Sequence, residues 1–172
     1  MKLTKTERWI ISNQYRILEA LYPQEKKNLA ERREAIESGY EAEYDSISQH
    51  IYDDKDCLTE GQCREVVDIL SMFRALHDAK DKSGVEERET VLEGFDGNDT
   101  LESSYMAYAR YFCESDGGRF EESRKGDFNS HSLMLGIYRR MLKEWKNSSK
   151  PHQLTKEDVV RIVGARTYRE KN

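Results

Sequence analysis

Apolar residues recur with a helical period along most of this chain. In the first segment they occupy Ile10, Ile11, Tyr15, Ile17, Leu18, Leu21 and Tyr22. Spacings of three and four residues place such positions on one face of an α-helix. Thr4 precedes the run, and Glu7 lies three residues after Thr4, which is the spacing of an N-terminal capping box. We therefore predict a first helix that begins near Thr4 or Thr6 and is ended by Pro23.

The same period returns in later segments and predicts an all-α fold. The further predicted helices cover residues 24–39, 40–52, 60–80 and 99–117, a segment that ends near residue 146, and a last segment that follows Pro151. Capping boxes of Thr59 with Gln62 and of Asp99 with Glu102 mark two of the helix starts. No alternating apolar pattern indicates a strand. We expect six to eight packed helices in a single domain over residues 1–172.

Composition and charge exclude several functional classes. Charged residues make up 35% of the 172 residues, and the net charge is −5 with both signs interspersed. Such a balance argues against sequence-independent nucleic-acid binding, which depends on clustered Lys and Arg. DNA binding is therefore the least favoured function. No window reaches the roughly 18 apolar residues of a membrane helix, so we expect no membrane partner.

The cysteines and the N-terminus favour a cytoplasmic protein. Cys57, Cys63 and Cys113 show no CxxC spacing, and an odd number of cysteines without a signal peptide predicts reduced thiols. The first residues lack the apolar run of a secretory signal. No spacing of His, Cys or acidic residues predicts a metal site, and we expect no cofactor.

Residues 94–99 read GFDGND and combine glycine with aspartate and asparagine. A phosphate-binding P-loop requires Lys and then Ser or Thr after its second glycine, and a calcium-binding EF-hand loop requires Gly at position six and Glu at position twelve. The segment meets neither rule. Asp99 is expected to cap the following helix, and the glycines permit positive φ angles. Asp96 and Asn98 have no structural role that this pattern predicts, which makes them candidate ligand-binding residues.

A second polar stretch, DFNSH, precedes a predicted helix. Asn129 or Ser130 is expected to cap that helix, which puts His131 in its first turn. The helix dipole disfavours a charged imidazole at that place. A neutral His131 is a candidate for ligand contact, and the alternative is a surface histidine with no such role. Arg110 and Arg119 are candidate partners for Asp96 or for an anionic ligand.

Two amides fall within the apolar stripe of the first helix. Gln14 lies between Ile10 and Ile17 in helical projection, and Asn13 borders the same face. Amides that are buried in such a stripe require hydrogen-bond partners. Two interpretations stay open. The amides fix another helix or loop, or they form the polar floor of a binding pocket.

Several stretches together resemble a known family. They are SNQYRIL (residues 12–18), ALH (75–77), GFDGN (94–98), YARYF (108–112), FNSH (128–131) and YRRMLKEW (138–145). Over nearly the whole chain, this combination is similar to the YfbU family of uncharacterised bacterial proteins. The resemblance implies an α-helical cytosolic domain and no established activity. A ligand-sensing role, suggested by relatives that carry a DNA-binding module, transfers only loosely to a chain of this length.

We expect a non-enzymatic binding or regulatory domain that self-associates, because polar loops stand beside few catalytic motifs. Its candidate small-ligand site gathers Asp96, Asn98, Asn129, His131 and either Arg110 or Arg119, with Asn13 or Gln14 in its floor. An alternative is an enzyme, a hydrolase or a phosphoryl-handling protein, in which His131 is the base and Asp96 orients it. A third alternative is a purely structural oligomer, which the tyrosine-rich faces favour.

Overall fold

The computed structural model describes residues 1–115, 118–123 and 126–167. The chain divides into two compact units, Met1–Cys57 and Leu58–Asn172. Throughout the described ranges the secondary structure is helical, without a strand, and one isolated parallel β-bridge joins Phe95 to Asn129. The all-α prediction is therefore confirmed, whereas a single domain over residues 1–172 stays a prediction.

The first unit is built from α1 (Lys5–Leu21), α2 (Lys26–Ser38) and α3 (Glu41–Ser48). Short 3-10 turns at Pro23–Glu25 and Asp54–Asp56 follow α1 and α3. The predicted capping box of Thr4 and Glu7 is present at the start of α1. Gly39 ends α2 with a left-handed φ of 75°, as predicted for a C-terminal glycine. Local sequence signals therefore set the bounds of the first two helices.

A polar cluster and a small core join α1 to α2. Glu37 accepts hydrogen bonds from Ser12 Oγ at 2.6 Å, Arg16 at 3.1 Å and Arg33 at 3.0 Å. The hydroxyl bond and the two guanidinium groups lower the pKa of Glu37 to about 2. The buried residues of this unit are Ser12, Leu29, Ala35, Ile36 and Tyr44. Helix α1 thus packs on α2 with the face that carries Ser12.

The second unit contains five α-helices among its described residues. They are α4 (Glu60–Asp78), α5 (Lys80–Ser83), α6 (Thr100–Glu114), α7 (Leu135–Lys146) and α8 (Lys156–Gly164). Short 3-10 turns occupy Glu87–Glu89 and Glu121–Ser123. With the three helices of the first unit, the total over the described ranges is eight, which lies within the predicted range of six to eight.

Helix α4 is the central element of the second unit and packs against both α6 and α7. Its buried residues are Val66, Ile69, Leu70, Met72, Phe73, Ala75 and Leu76. The predicted capping box of Thr59 starts this helix. His77, near the end of the helix, is half-buried. Phe95 packs edge to face against Tyr105 and Tyr138, with ring centroids 5.8 and 5.7 Å apart. An aromatic core therefore links the loop that carries Phe95 to α6 and α7.

The two helices beside that loop begin differently from each other. Asp99 caps α6 as predicted, and its side chain accepts from the second and third backbone N–H groups of the helix. The prediction that Asn129 or Ser130 caps α7 is wrong, because α7 begins only at Leu135. Phe128 has a positive φ of 69°, which a right-handed helix does not contain. The FNSH stretch therefore remains a loop.

Helix α6 ends at Glu114. The predicted end at residue 117 lies outside the described residues, and the next residue, Gly118, has a φ of 95°. In the described part of the chain, none of the helices combines the length and apolarity that are needed to cross a membrane.

Candidate functional site

The GFDGN loop (residues 94–98) and the FNSH loop (residues 128–131) lie side by side. Phe95 N donates to Phe128 O at 2.8 Å, and Ser130 N donates to Phe95 O at 3.0 Å. The candidate site required this convergence, which periodicity and spacing could not predict. We call this paired region the loop junction.

Gly94 permits the close approach of the two loops. Its φ is 106°, and a Cβ atom at this position would lie 2.1 Å from Phe128 O. Tyr138 donates its hydroxyl proton to Gly94 O at 2.9 Å, and burial raises the pKa of that hydroxyl. Because a side chain would displace the Phe128 carbonyl, only glycine fits at position 94.

Two side-chain oxygen atoms of the loop junction are bonded within the junction itself. Asn129 Oδ1 accepts from Gly97 N at 3.2 Å and from His131 N at 3.0 Å. Asp96 Oδ1 accepts from the backbone N of Asn98 at 3.0 Å and from its side-chain amide at 3.2 Å. These oxygen atoms therefore stabilise the loop conformations, a role that sequence patterns did not assign to Asp96 or Asn129.

A buried carboxylate ties the loop junction to the start of α7. Glu102 is 3% exposed and accepts from Asp96 N at 2.9 Å, Met134 N at 3.0 Å and Leu135 N at 2.6 Å. It thereby satisfies N–H groups at the α7 N-terminus that have no partner inside the helix. The expected capping box of Asp99 with Glu102 is wrong, because the Glu102 carboxylate turns towards α7 instead.

The two candidate arginines occupy different places. Arg110 donates to Asp127 O at 3.0 Å, next to the FNSH loop. Arg119 N donates to Cys113 O at 2.8 Å, and its guanidinium lies 5.2 Å from the centroid of the Phe112 ring. Cys113 is about 20 Å along α6 from the helix start beside the GFDGN loop, at 1.5 Å per residue. The structure therefore places Arg110 at Asp127, next to the loop junction, and anchors Arg119 at the far end of α6.

His131 is not in the first turn of a helix, which corrects the prediction from sequence. It has a φ of 54° in the loop before α7 and is exposed to solvent. Among the hydrogen bonds of the described residues, none joins the side chains of His131 and Asp96. The direct contact between a base and the residue that orients it, which the enzymatic alternative uses, is therefore not formed.

The two amides of α1 are exposed, so their predicted burial is wrong. Asn13 and Gln14 both lie on the solvent side of the first unit. Their neighbours Ile10 and Ile17 are 50% and 60% exposed. The physical reason is that α1 packs on α2 with its opposite face, where Ser12 is the buried polar residue. Periodicity identified the shared face correctly but not which face is buried.

A groove between α4, α6 and α7 was not predicted. Its volume is about 1150 Å³, and its walls include Cys63, Glu65, Tyr105, Tyr108, Arg139, Leu142, Lys143 and Lys146. A signal for it exists in the sequence, because Arg139, Lys143 and Lys146 recur at i, i+4 and i+7 and so share one face of α7. We call this feature the groove.

Among the residues that the structure describes, the charged side chains that line the groove are paired, with the exception of Lys143. Glu65 accepts two hydrogen bonds from Arg139, each 2.9 Å long, and one from the Tyr105 hydroxyl at 2.6 Å. Arg139 lowers the pKa of Glu65, while burial and the nearby carboxylate raise the pKa of Tyr105 to about 12. Lys146 forms a 2.5 Å ion pair with α4. Lys143 has no ion-pair or hydrogen-bond partner among the residues that the structure describes.

Comparison with known proteins agrees with the resemblance in the sequence. The model of the YfbU domain matches residues 1–165, which include every residue of the loop junction and of the groove. The UPF0304 protein MJECS11 of Methanocaldococcus jannaschii is 35% identical over 178 residues, covering 95% of this chain and 99% of that protein. Both matches extend over nearly the full length, and the chain belongs to the YfbU family.

Proposed function

We propose that this chain is a non-enzymatic binding domain whose small ligand occupies the groove. The observation that carries the proposal is a groove of about 1150 Å³ whose edge includes Lys143, a cation without a described partner. Clefts on this scale accommodate small molecules. Asp96 Oδ1 and Asn129 Oδ1 at the loop junction are, by contrast, already bonded within the loops. The groove is therefore the better candidate for an external ligand.

The groove favours an anionic ligand with a flat apolar part. Tyr108 contributes an aromatic ring and Leu142 contributes an aliphatic side chain to its walls, and both pack well against a ring. Lys143 can contact a carboxylate or a phosphate without first leaving another ion pair. Arg139 is held by Glu65 in a two-point contact, so it shapes the wall rather than supplying a free charge.

The titratable groups of the groove favour binding over catalysis. The pKa of Glu65 is lowered and that of Tyr105 is raised to about 12, whereas a general acid or base works best with a pKa near the working pH. The enzymatic alternative rests on His131 and Asp96, whose side chains share no hydrogen bond in the described structure. A hydrolase or a phosphoryl-handling enzyme is therefore the second choice.

Titration with phenyl phosphate, followed by ¹H–¹⁵N NMR, tests the binding proposal. We expect chemical-shift changes at Tyr108 and Lys143 and roughly tenfold weaker binding to Lys143→Glu, because the variant repels the phosphate. Lys150→Glu changes an exposed lysine outside the groove and is the matched control. Changes confined to Asn98 and His131 would support the loop site instead. A spectrum that does not change would overturn both sites for this class of ligand.

Self-association is the second part of the proposal. Large apolar residues of α1 are exposed, with 68% of Trp9 and 64% of Leu21 accessible to solvent, and such patches mark interaction surfaces. Light scattering at micromolar concentration tests it. A mass equal to the 20.2 kDa of one chain would remove this part of the proposal and leave the groove unaffected.

We propose a cytoplasmic setting for this binding domain. Cys57, Cys63 and Cys113 are free thiols in the structure, which fits a reducing compartment. Nucleic acid stays an unfavoured partner because the net charge is −5.

A further inference from the structure

A further depression lies in the first unit, between α1 and the C-terminal end of α2. Its volume is about 320 Å³, and six of its seven lining residues belong to α1. Lys5, Trp9 and Asn13 recur at intervals of four residues and so share one face of that helix. We call this depression the notch. Its size is at the lower end for ligand sites, so it suits a ligand with one ring system and one charged group.

The notch is positively charged although the protein is acidic. The net charge of the chain is −5, whereas the charged residues of the notch are three cations and one acid, namely Lys5, Arg8, Arg16 and Glu37. Glu37 is paired with Arg16 at 3.1 Å and with Arg33 at 3.0 Å, so its own charge is compensated within the fold. An excess of positive charge therefore faces the notch, and an anion is the complementary ligand.

Two of the cations have hydrogen-bond donors to spare. Lys5 has no ion-pair or hydrogen-bond partner among the residues that the structure describes. Arg8 donates from Nη1 to Glu37 O over a long 3.4 Å, and a guanidinium group has five N–H donors in all. Gly39 leaves the space for Arg8, because a Cβ atom there would lie 2.9 Å from Arg8 Nη1. Lys5 and Arg8 are neighbours on the helix surface at i and i+3, so both can contact one phosphate group.

Trp9 and Asn13 provide the uncharged part of the notch. Trp9 is 68% exposed, although tryptophan is highly buried on average, and it lies about one helical turn from both Lys5 and Asn13. Nucleobases stack on such exposed aromatic rings. The exposed Asn13 side chain makes no hydrogen bond within the described part of the chain. Its adjacent donor and acceptor match the edge of adenine, which gives this amide a role in binding.

We propose that the notch binds a nucleoside monophosphate. The base stacks on Trp9 with its edge towards Asn13. The phosphate lies between Lys5 and Arg8. Because Lys5 and Asn13 are about 12 Å apart along the axis of α1, at 1.5 Å per residue, a ligand that reaches both has its ring and its anionic group at opposite ends. Two available cations in a chain of net charge −5 suit one phosphate group rather than a nucleic-acid strand. The site lies within the first unit and does not depend on the ligand proposed for the groove.

Titration of the full chain with adenosine monophosphate, followed by ¹H–¹⁵N NMR, tests the site. The chain has two tryptophans, and Trp145 is 5% exposed with its indole N–H bonded to Pro151 O. The indole signal of Trp9 is expected to shift while that of Trp145 stays in place. Adenosine and inorganic phosphate, added separately, are expected to bind at least about tenfold more weakly, because each occupies only part of the notch.

Two substitutions test the charge and the ring separately. Lys5→Glu is expected to weaken the binding of adenosine monophosphate about tenfold, because the carboxylate repels the phosphate. Trp9→Ala is expected to weaken it by a similar factor of about ten through the loss of stacking, with the backbone signal of Asn13 as the readout. Lys27→Glu, at an exposed position of α2 outside the notch, is the matched control and is expected to leave the affinity unchanged. All three positions are exposed, so the circular-dichroism spectrum of each variant is expected to match that of the wild type.

The outcomes separate the notch from the groove and from self-association. A Trp9 shift that Lys5→Glu weakens and Lys27→Glu does not supports the notch. Shifts at Tyr108 and Lys143 with an unchanged Trp9 signal place the nucleotide in the groove and overturn the notch. Equal weakening in the two lysine variants, or adenosine monophosphate that binds no more tightly than phosphate alone, overturns it as well. A Trp9 signal that follows protein concentration instead of the nucleotide reports self-association and also overturns the notch.

Discussion

The loop junction and the groove differ in how their polar side chains are used. At the loop junction, Asp96 and Asn129 accept hydrogen bonds from backbone N–H groups, and the adjoining Glu102 does the same. In the groove, Lys143 has no described partner and lines the same cleft as the half-buried Tyr108. The comparison teaches that the hydrogen-bond acceptors of a loop rich in Gly, Asp and Asn can be used within the fold itself. Unfilled bonding capacity in a cleft is the better indicator of a site.

The two regions are nevertheless connected through the helices that they share. The loop junction holds the starts of α6 and α7, through Asp99 and through Glu102. The same two helices contribute Tyr108 and Lys143 to the walls of the groove. We therefore expect the loop junction to support the walls of the groove, and variants of the two regions should differ in kind. Variants of the junction should lower stability, and variants of the groove should lower ligand affinity.

The largest effect is expected from Glu102→Ala. The substitution leaves N–H groups of Asp96, Met134 and Leu135 without their acceptor, so we expect the free energy of unfolding to fall by about 3–5 kcal/mol. Urea unfolding followed by circular dichroism measures it. Glu114→Ala, on the exposed surface of the same helix, is the control and should stay within about 0.5 kcal/mol. Equal losses in the two variants would contradict the structural role of Glu102.

Gly94→Ala is expected to have the next largest effect. The new Cβ would lie 2.1 Å from Phe128 O at a φ of 106°, so the loops must separate and we expect a loss of about 2–4 kcal/mol. Gly136→Ala is matched to it, because a Cβ at Gly136 meets no atom within 4 Å. That control should be neutral or slightly stabilising, by up to about 1 kcal/mol in a helix. A tolerated Gly94→Ala would show that the close approach is dispensable.

Helix starts could be predicted because they depend on short-range contacts. The capping boxes of Thr4, Thr59 and Thr155 each close on a residue three positions away, which a pattern can show. Glu102 stands at the same spacing from Asp99, and the local rule gave the wrong partner. Its true partners at α7 lie 32 and 33 residues away. Whether the Glu102 carboxylate accepts from a nearby or from a distant N–H group is decided by tertiary packing, which sequence spacing does not encode.

The sites were harder to predict than the helices for a related reason. Periodicity groups Ile10, Gln14 and Ile17 on one face of α1 correctly, but it does not state which face another helix covers. The groove combines α4, α6 and α7, so no single segment contains its pattern. The loops around Asp96 and His131 attracted attention because of their residue types. The structure shows that the loops converge and that Asp96 is bonded inside the junction.

A smaller effect, dependent on pH, is expected in the wall of the groove. Arg139 lowers the folded-state pKa of Glu65 below its ordinary value of 4.5. Ionised Glu65 therefore contributes stability above that pH, and the contribution is lost as the pH falls through the lower folded-state value. We expect Glu65→Gln to cost about 1–2 kcal/mol at pH 7 and less at a pH below 4.5, as measured by urea unfolding.

The control for Glu65 is another Glu–Arg ion pair of this protein, one that is exposed to solvent. Glu60 and Arg64 form an ion pair of 2.5 Å with side chains that are 79% and 77% exposed. Exposed pairs contribute little, so Glu60→Gln should change stability by less than about 0.5 kcal/mol at either pH. A loss in Glu65→Gln that is independent of pH would show that packing, not charge, is responsible.

The smallest effect is expected from His131→Gly. His131 has a φ of 54°, a conformation that is unfavourable for residues with a Cβ, so glycine should stabilise the protein by up to about 1 kcal/mol. Ser132→Gly removes a neighbouring side chain without relieving such a φ and should be slightly destabilising. Binding of phenyl phosphate to the groove should be unchanged in His131→Gly. Loss of binding would favour the loop site over the groove.

The carboxylate of Glu102 also bears on how long the native state lasts. Its bonds to Met134 and Leu135 span more than thirty residues, so they form only after α6 and α7 have docked. Helix α6 has its own cap in Asp99 and does not need those bonds to form. We expect these bonds to form after the folding transition state, and interactions of that kind mainly slow unfolding. Glu102 should therefore govern the lifetime of the folded second unit far more than the rate at which that unit is made.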